Sequence, residues 1–252
     1  YGSPARVIAG LLIVVMWVGV VAAQLVAAGA VIATLTGIPA PVGTSVAAGL
    51  AIVYTCWGGQ SSVLRTDLVQ VVMILAAVCL PLFFLHTLGD VATGQTLLAS
   101  RTWFEGLAWP QWLALVFVVG GMYAVGPDMC SRVLVARDTA AARKGAWLAA
   151  AGLLPASLVI TYIGVCARET GAEIPAASQA LPWVVHEVLP GSIAVIVSVG
   201  LVAALLSSAD TCLLTAATVL ELDLVGRRRT SARSVLWGRI FVGVVGLAGA
   251  VL

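Results

Sequence analysis

The chain has 252 residues, of which 61% are hydrophobic and only 10% charged, and its formal net charge is +2. Its mean hydropathy is +1.09, whereas soluble domains are about half apolar and a quarter charged. This composition excludes a soluble globular protein, and we predict a single transmembrane domain over residues 1–252. A bilayer core about 30 Å thick needs about 20 apolar residues per helix, which leaves room for six to eight spans.

Seven apolar stretches, separated by polar residues or by Gly and Pro, predict an all-α polytopic membrane protein with about seven transmembrane helices. The runs are continuous rather than alternating, which disfavours a transmembrane β-barrel. In chain order they cover residues 7–35, 42–57, 68–88, 110–126, 146–167, 192–220 and 235–252. Because the chain starts at Tyr1 and ends at Leu252 inside an apolar run, we expect a fragment of a longer protein.

The cationic residues predict how these spans are oriented, because cytoplasmic loops carry an excess of Lys and Arg. With a cytoplasmic N-terminus, only Arg101 and Arg168 fall outside. We therefore predict a plasma-membrane protein whose chain starts inside and ends outside. The run Arg227–Arg229 also suits a lipid- or partner-binding patch, although topology alone explains it. The inside set is Arg6, Arg65, Arg132, Arg137, Arg143, Lys144, Arg227, Arg228, Arg229, Arg233 and Arg239.

The sixth stretch carries the strongest polar pattern, a stripe of small and hydroxyl-bearing residues on one helix face. Such a stripe either packs helices together or lines a path for a hard cation, which prefers oxygen ligands. Asp210 lies beside it, and an acid inside a membrane helix needs a partner, a proton or a cation. The stripe consists of Ala204, Ser207, Ser208, Thr211, Thr215 and Thr218.

Two further places are candidates for function. Gly58 and Gly59 predict a break before the third span, which puts Asp67 in a first helical turn, where the helix dipole alone favours an acid. In the fourth span Gly120, Gly121 and Tyr123 indicate either a pocket at a helix break or a tight helix crossing.

No nucleophile elbow, phosphate loop or metal-ligand spacing is present in the sequence. The five cysteines are far apart, and His186-Glu187 lacks the second His of a zinc helix. We therefore predict that the protein is not an enzyme and needs no cofactor.

Three segments, in this order, resemble the sodium:solute symporter family of proline, pantothenate, sialic acid and sodium/galactose carriers. The first runs from Tyr54-Thr55 through Gly58-Gly59 to Thr66-Asp67 and Gln70. The second contains Gly126-Pro127-Asp128, Ser131-Arg132 and Ala136-Arg137-Asp138. The third is Ala203-Ala204-Leu205-Leu206-Ser207-Ser208-Ala209-Asp210-Thr211, followed by Leu213-Leu214-Thr215 and Asp223.

The resemblance implies a leucine-transporter-type fold of two inverted five-helix repeats. The chain would hold core helices three to nine, with the first, second and tenth missing. The Ala204 carbonyl with the Ser207 and Ser208 hydroxyls would form half of the main sodium site. Asp67 matches an acid near the inward sodium exit that belongs, in some members, to an additional site.

The same resemblance extends to positions where the match is partial. Asp210 and Thr211 match positions that are often serines in members with the additional sodium site. We therefore predict that both bind sodium, although the acid at 210 is a departure from the family pattern. Tyr123, together with Gly120 and Gly121, would line the substrate cavity.

These observations predict sodium-coupled symport of a small organic solute by alternating access, with sodium, solute and membrane lipid as the partners and no nucleic acid. The alternative is a membrane input domain of a histidine kinase built on the same fold.

Overall fold

The computed structural model describes residues 2–87, 108–169, 180–225 and 232–251, and these are nearly all helical, with no strand. The long helices are those expected from continuous apolar runs, which satisfy their backbone groups internally. They are α1 (Gly2–Thr36), α2 (Ala40–Thr87), α3 (Trp109–Val125), α4 (Pro127–Val135), α5 (Thr139–Glu169), α6 (Ala180–Glu187), α7 (Gly191–Val219) and α8 (Ala232–Val251), with a π-helical turn (Leu220–Leu224) directly after α7.

Each of the seven predicted spans coincides with an apolar helical segment in the described part of the chain. Five segments are long and apolar enough to cross a membrane, and Trp109–Gly121 and Leu236–Val251 are shorter. The five long ones are Gly2–Thr36, Ala40–Trp57, Arg65–Leu85, Thr139–Ala167 and Gly191–Leu224. The expectation of an all-α polytopic membrane protein is confirmed.

The predicted helix break at Gly58-Gly59 is wrong. The second and third predicted spans belong to one continuous helix, α2, of 48 residues. Glycine disfavours a helix interior by only about 1 kcal/mol per residue, so the flanking helix formers prevail. Asp67 consequently lies inside a helix, and the helix dipole does not explain it.

The Gly120-Gly121 pair likewise leaves its helix unbroken. Helix α3 continues to Val125, and the chain turns one residue later at Gly126, whose φ of −61° and ψ of 136° are extended. Pro127 then starts α4. The backbone N–H at the start of a helix has no partner within the helix, so the N–H that proline lacks is not needed there.

The described residues form two compact units, and the first contains residues 1–77 and 190–252. Its hydrophobic core joins four helices, with small residues from α2 and larger ones from α1 and α7. The core side chains are Trp17, Val21, Leu25 and Ala28 of α1, Ala47, Ala48 and Ala51 of α2, Leu206, Cys212, Leu213, Ala216 and Ala217 of α7, and Val242 and Val245 of α8.

Glycines bring the helices of this unit into backbone contact. Gly29 of α1 lies against Thr44 of α2, and Gly246 of α8 lies against Ile52 of α2, so closely that a Cβ at either glycine would overlap its neighbour. Small residues at helix crossings are the usual means of close packing in membranes, where lipid tails are as apolar as side chains.

The second unit contains residues 78–189. Its small core joins the end of α2 with α5 and α6 through Leu85, Ile163, Cys166, Ala167 and Val184. Many large apolar side chains of α3 and α5 are exposed, among them Phe117 and Leu148. A helix that is apolar on its outside is expected to face lipid.

The packing of α1 on α2 makes a testable prediction. In Gly29→Ala the added Cβ meets the backbone nitrogen and Cα of Thr44, so the helices must move apart, and we expect a loss of about 1–3 kcal/mol in stability. Gly19→Ala on the same helix adds its Cβ into open space and should be neutral or slightly stabilising. Thermal unfolding of the two variants in detergent, monitored by size-exclusion chromatography, checks both expectations. Equal melting temperatures for the two variants would contradict this packing.

Candidate functional site

The candidate site lies where α2 and α7 cross inside the first unit. Gly200 of α7 is placed against the backbone carbonyl of Met73, and a Cβ there would overlap it and the Ala77 side chain. A side chain at position 200 would therefore hold the helices apart. This close approach brings the polar residues of α7 within reach of those on α2.

Ser207 and Asp67 are in direct contact at this crossing. The Ser207 hydroxyl donates a hydrogen bond of 2.7 Å to Asp67 Oδ1. Asp67 is the third residue of the apolar segment Arg65–Leu85, and an acid in a membrane helix usually has a polar partner. The Ser207 hydroxyl is such a partner.

Three other predicted residues surround Ser207 along α7. The Ser208 hydroxyl donates to the Ala204 carbonyl at 3.2 Å, and the Thr211 hydroxyl donates to the Ser207 carbonyl at 3.3 Å. Such bonds to the preceding turn are common for Ser and Thr in helices. Ser208 is exposed whereas Ser207 is half-buried, so the hydroxyl pair spans the edge of the crossing.

Asp210 of α7 contacts a different part of α2. Its carboxyl is fully buried, with 0% of the residue exposed, and Oδ1 accepts a hydrogen bond of 3.1 Å from the Thr55 hydroxyl. Thr55 and Asp67 are separated by 12 positions of one helix, or about 18 Å of rise. The two acids therefore have different partners: Asp67 of α2 accepts from Ser207 of α7, and Asp210 of α7 accepts from Thr55 of α2.

Sequence reasoning singled out neither Thr55 nor Gln70 as a site residue on its own; both entered only as parts of a motif. Thr55 is 1% exposed, and the Gln70 side-chain oxygen is buried with no hydrogen-bond partner among the described residues. Gln70 follows Asp67 by three positions, so both lie on the same face of α2. The sequence signal for Gln70 was its position three residues after an acid within an apolar helix.

Glu221 was also missed. It is 1% exposed, lies in the π-helical turn after α7 and has Gly238 of α8 beside its carboxylate. Single π-helical turns are often found at functional sites. Glu221 lies one residue beyond the sixth predicted stretch, which ends at residue 220, and no pattern in the sequence pointed to it.

The predicted cavity residues lie in the second unit. Gly120 and Gly121 of α3 have open space where a Cβ would project, and Gly120 is exposed. Position 123 is helical, but the Tyr123 side chain lies outside the described part. The substrate cavity stays a prediction.

The oxygen atoms at the crossing suit a hard cation rather than a transition metal. They comprise a carboxylate, two hydroxyls and helix carbonyls, and oxygen is the ligand that hard cations prefer. In the described ranges no three His, Cys, Asp or Glu side chains lie together as a metal-binding group.

Comparison with known proteins gives a family for the chain. The model of the sodium:solute symporter family matches residues 1–248, which is nearly the whole chain, and no curated protein matches it. The match includes both helices of the candidate site and the serine pair. The chain belongs to the sodium:solute symporter family, a family of membrane transporters.

Proposed function

We propose that the protein is a sodium-coupled symporter in which sodium binds between α2 and α7. The hydrogen bond from Ser207 to Asp67 carries this proposal. A carboxylate and a hydroxyl from two helices supply the two kinds of oxygen that a sodium ion prefers, and the negative charge compensates that of the ion.

The sodium shell would include Asp67, Ser207, Ser208 and the Ala204 carbonyl. The Ser207 hydroxyl donates a hydrogen bond to Asp67 and the hydroxyl of the adjacent Ser208 donates one to the Ala204 carbonyl, which supports placing these four groups in one shell. Thr211 would support the site through its bond to the Ser207 carbonyl. Further ligands would come from another helix that approaches the exposed hydroxyl of Ser208.

Coupling would follow from a difference in sodium affinity between two conformations. Sodium shifts the equilibrium towards the conformation in which its ligands on α2 and α7 converge, and by no more than the difference in binding free energy. If that conformation also binds solute, the sodium gradient drives solute uptake. Alternating access between inverted repeats of the leucine-transporter type supplies the two conformations.

Orientation and solute are part of the same proposal. The distribution of Lys and Arg supports a cytoplasmic N-terminal end, an outer C-terminal end and a location in the plasma membrane. A small organic solute would bind beside Gly120, Gly121 and Tyr123, the positions that the family resemblance assigns to the substrate cavity. No feature of the described residues favours the kinase-linked sensor.

Uptake by the full-length protein in proteoliposomes tests the function directly. A panel of labelled amino acids, sugars, carboxylic acids and vitamins is offered with an inward sodium gradient, and again with potassium in place of sodium. We expect at least one solute to accumulate only with sodium. Accumulation that is equal in the two salts would refute sodium coupling.

Ser208→Ala tests the serine pair. Loss of one oxygen ligand should weaken sodium binding by about tenfold, which corresponds to about 1.4 kcal/mol, with solute binding at saturating sodium nearly unchanged. Binding of radioactive sodium to the purified protein measures this. Ser157→Ala is the matched control, because Ser157 is also exposed and also bonds its own helix, through the Leu154 carbonyl. An unchanged sodium affinity in Ser208→Ala would remove Ser208 from the site.

Asp67→Asn tests the charge. The amide oxygen can still accept from Ser207, so the helix crossing should be kept while the attraction for a cation is lost, and sodium affinity should fall by more than the tenfold expected for Ser208→Ala. The control is Asp138→Asn: Asp138 accepts from the Ala141 N–H at the start of α5, where Asn serves equally well. The proposal fails if Asp67→Asn, like the control Asp138→Asn, binds sodium as tightly as the unaltered protein.

A further inference from the structure

Sodium binding between α2 and α7 does not explain the motif that runs from Gly126 to Asp138. This motif forms the short helix α4 and the turn that leads into α5, and both helices belong to the second unit. Between positions 126 and 147 the sequence has two acids, Asp128 and Asp138. The same stretch contains four basic residues, which are Arg132, Arg137, Arg143 and Lys144.

The basic side chains of this stretch are all exposed. Arg137, Arg143 and Lys144 form no ion pair with a described residue. Asp138 is engaged at the start of α5, where its Oδ1 accepts a hydrogen bond of 2.7 Å from the Ala141 N–H. The excess of positive charge is therefore left to attract an anion from outside the chain.

Large apolar side chains are exposed beside these cations. Val133, Leu134 and Val135 at the end of α4 are exposed, Leu134 at 82%. Trp147 of α5 is 72% exposed and follows Arg143 by four positions, so the two lie on one helix face. Tryptophan is enriched at the boundary between water and lipid, and helices that combine basic with large apolar side chains lie in the headgroup layer.

The adjoining helices place this surface at the edge of a membrane rather than against a soluble partner. Helix α4 starts two residues after α3 ends, and its main contacts in the described part are with α3. Both α3 and α5 expose large apolar side chains, such as Phe117 and Leu148, which is expected of helices that face lipid. The apolar residues of α4 and Trp147 thus continue a lipid-facing surface up to the cations.

We propose that α4 and the start of α5 form a docking surface for an anionic phospholipid. Arg137, Arg143 and Lys144 would contact the headgroup phosphate, with Leu134 and Trp147 against the acyl chains. Arginine binds phosphate through two parallel hydrogen bonds and lysine binds it as a point charge. An anionic lipid is preferred to a zwitterionic one, because the ammonium group of a zwitterionic headgroup repels the same cations. This surface does not depend on sodium coupling, and either proposal can fail alone.

Native mass spectrometry of the full-length protein in a neutral detergent tests this proposal, with phosphatidylglycerol or phosphatidylcholine added. We expect the first phosphatidylglycerol to bind roughly tenfold more tightly than phosphatidylcholine. The double variant Arg143→Gln/Lys144→Gln should bind phosphatidylglycerol about thirtyfold more weakly, since each basic residue near an anionic surface contributes about fivefold. Unchanged affinity in the double variant would overturn the proposal and leave the surface to a protein partner.

Arg6→Gln is the matched control for the position of the charge. Arg6 is also exposed and also falls on the side that the charge distribution assigns to the cytoplasm, but it lies on α1 in the first unit. A docking surface predicts a loss of about fivefold in Arg143→Gln and none in Arg6→Gln. Equal losses in the two variants would mean that any inner cation serves, and would refute the site.

Two further measurements exclude a disturbed fold and a free anion. The exchanged variant Arg143→Lys/Lys144→Arg keeps both charges and should bind phosphatidylglycerol like the unaltered protein. If it binds as weakly as the double glutamine variant, the loss reflects a disturbed fold and the proposal is rejected. Inorganic phosphate should leave the lipid bound, because it lacks acyl chains; displacement of the lipid by an equal concentration of phosphate would contradict lipid docking.

Discussion

An acid in a membrane helix has to be neutralised by something, and two acids on the α2–α7 pair meet this requirement in different ways. Asp67 is half-buried and accepts a hydrogen bond from Ser207. Asp210 is fully buried with one oxygen left over. Leaving a charge uncompensated in the apolar interior is unfavourable, and the sodium binding proposed for Asp67 depends on that constraint.

A glycine allows the close contact between the two helices that carry these acids. Gly200 lets α7 approach the backbone of α2 near Met73, and the same approach sets Ser207 opposite Asp67. A cation between two helices responds to their separation, since moving either helix removes part of its shell. Binding and helix movement are therefore one equilibrium, which is what an alternating-access carrier needs.

The sequence predicts the helices well because continuous apolar runs leave few alternatives in a bilayer. It fails at Gly58-Gly59, where local glycine signals suggest a break but the flanking residues of α2 continue the helix. The individual site residues Asp67, Ser207 and Asp210 were identified from their polarity in apolar surroundings. Their pairings were not, because contacts such as Thr55–Asp210 join residues 155 positions apart and depend on how two helices cross.

The most direct measurement of the central claim is the location of the ion itself. Crystals of the full-length protein grown with thallium, a heavy monovalent substitute for sodium, would reveal the ion by its anomalous scattering. The account predicts a peak between α2 and α7, within bonding distance of the Asp67 carboxylate and the Ser207 hydroxyl, that disappears when excess sodium is added. A sodium-sensitive peak elsewhere, with the Ser207–Asp67 hydrogen bond intact and no ion beside it, would contradict the account.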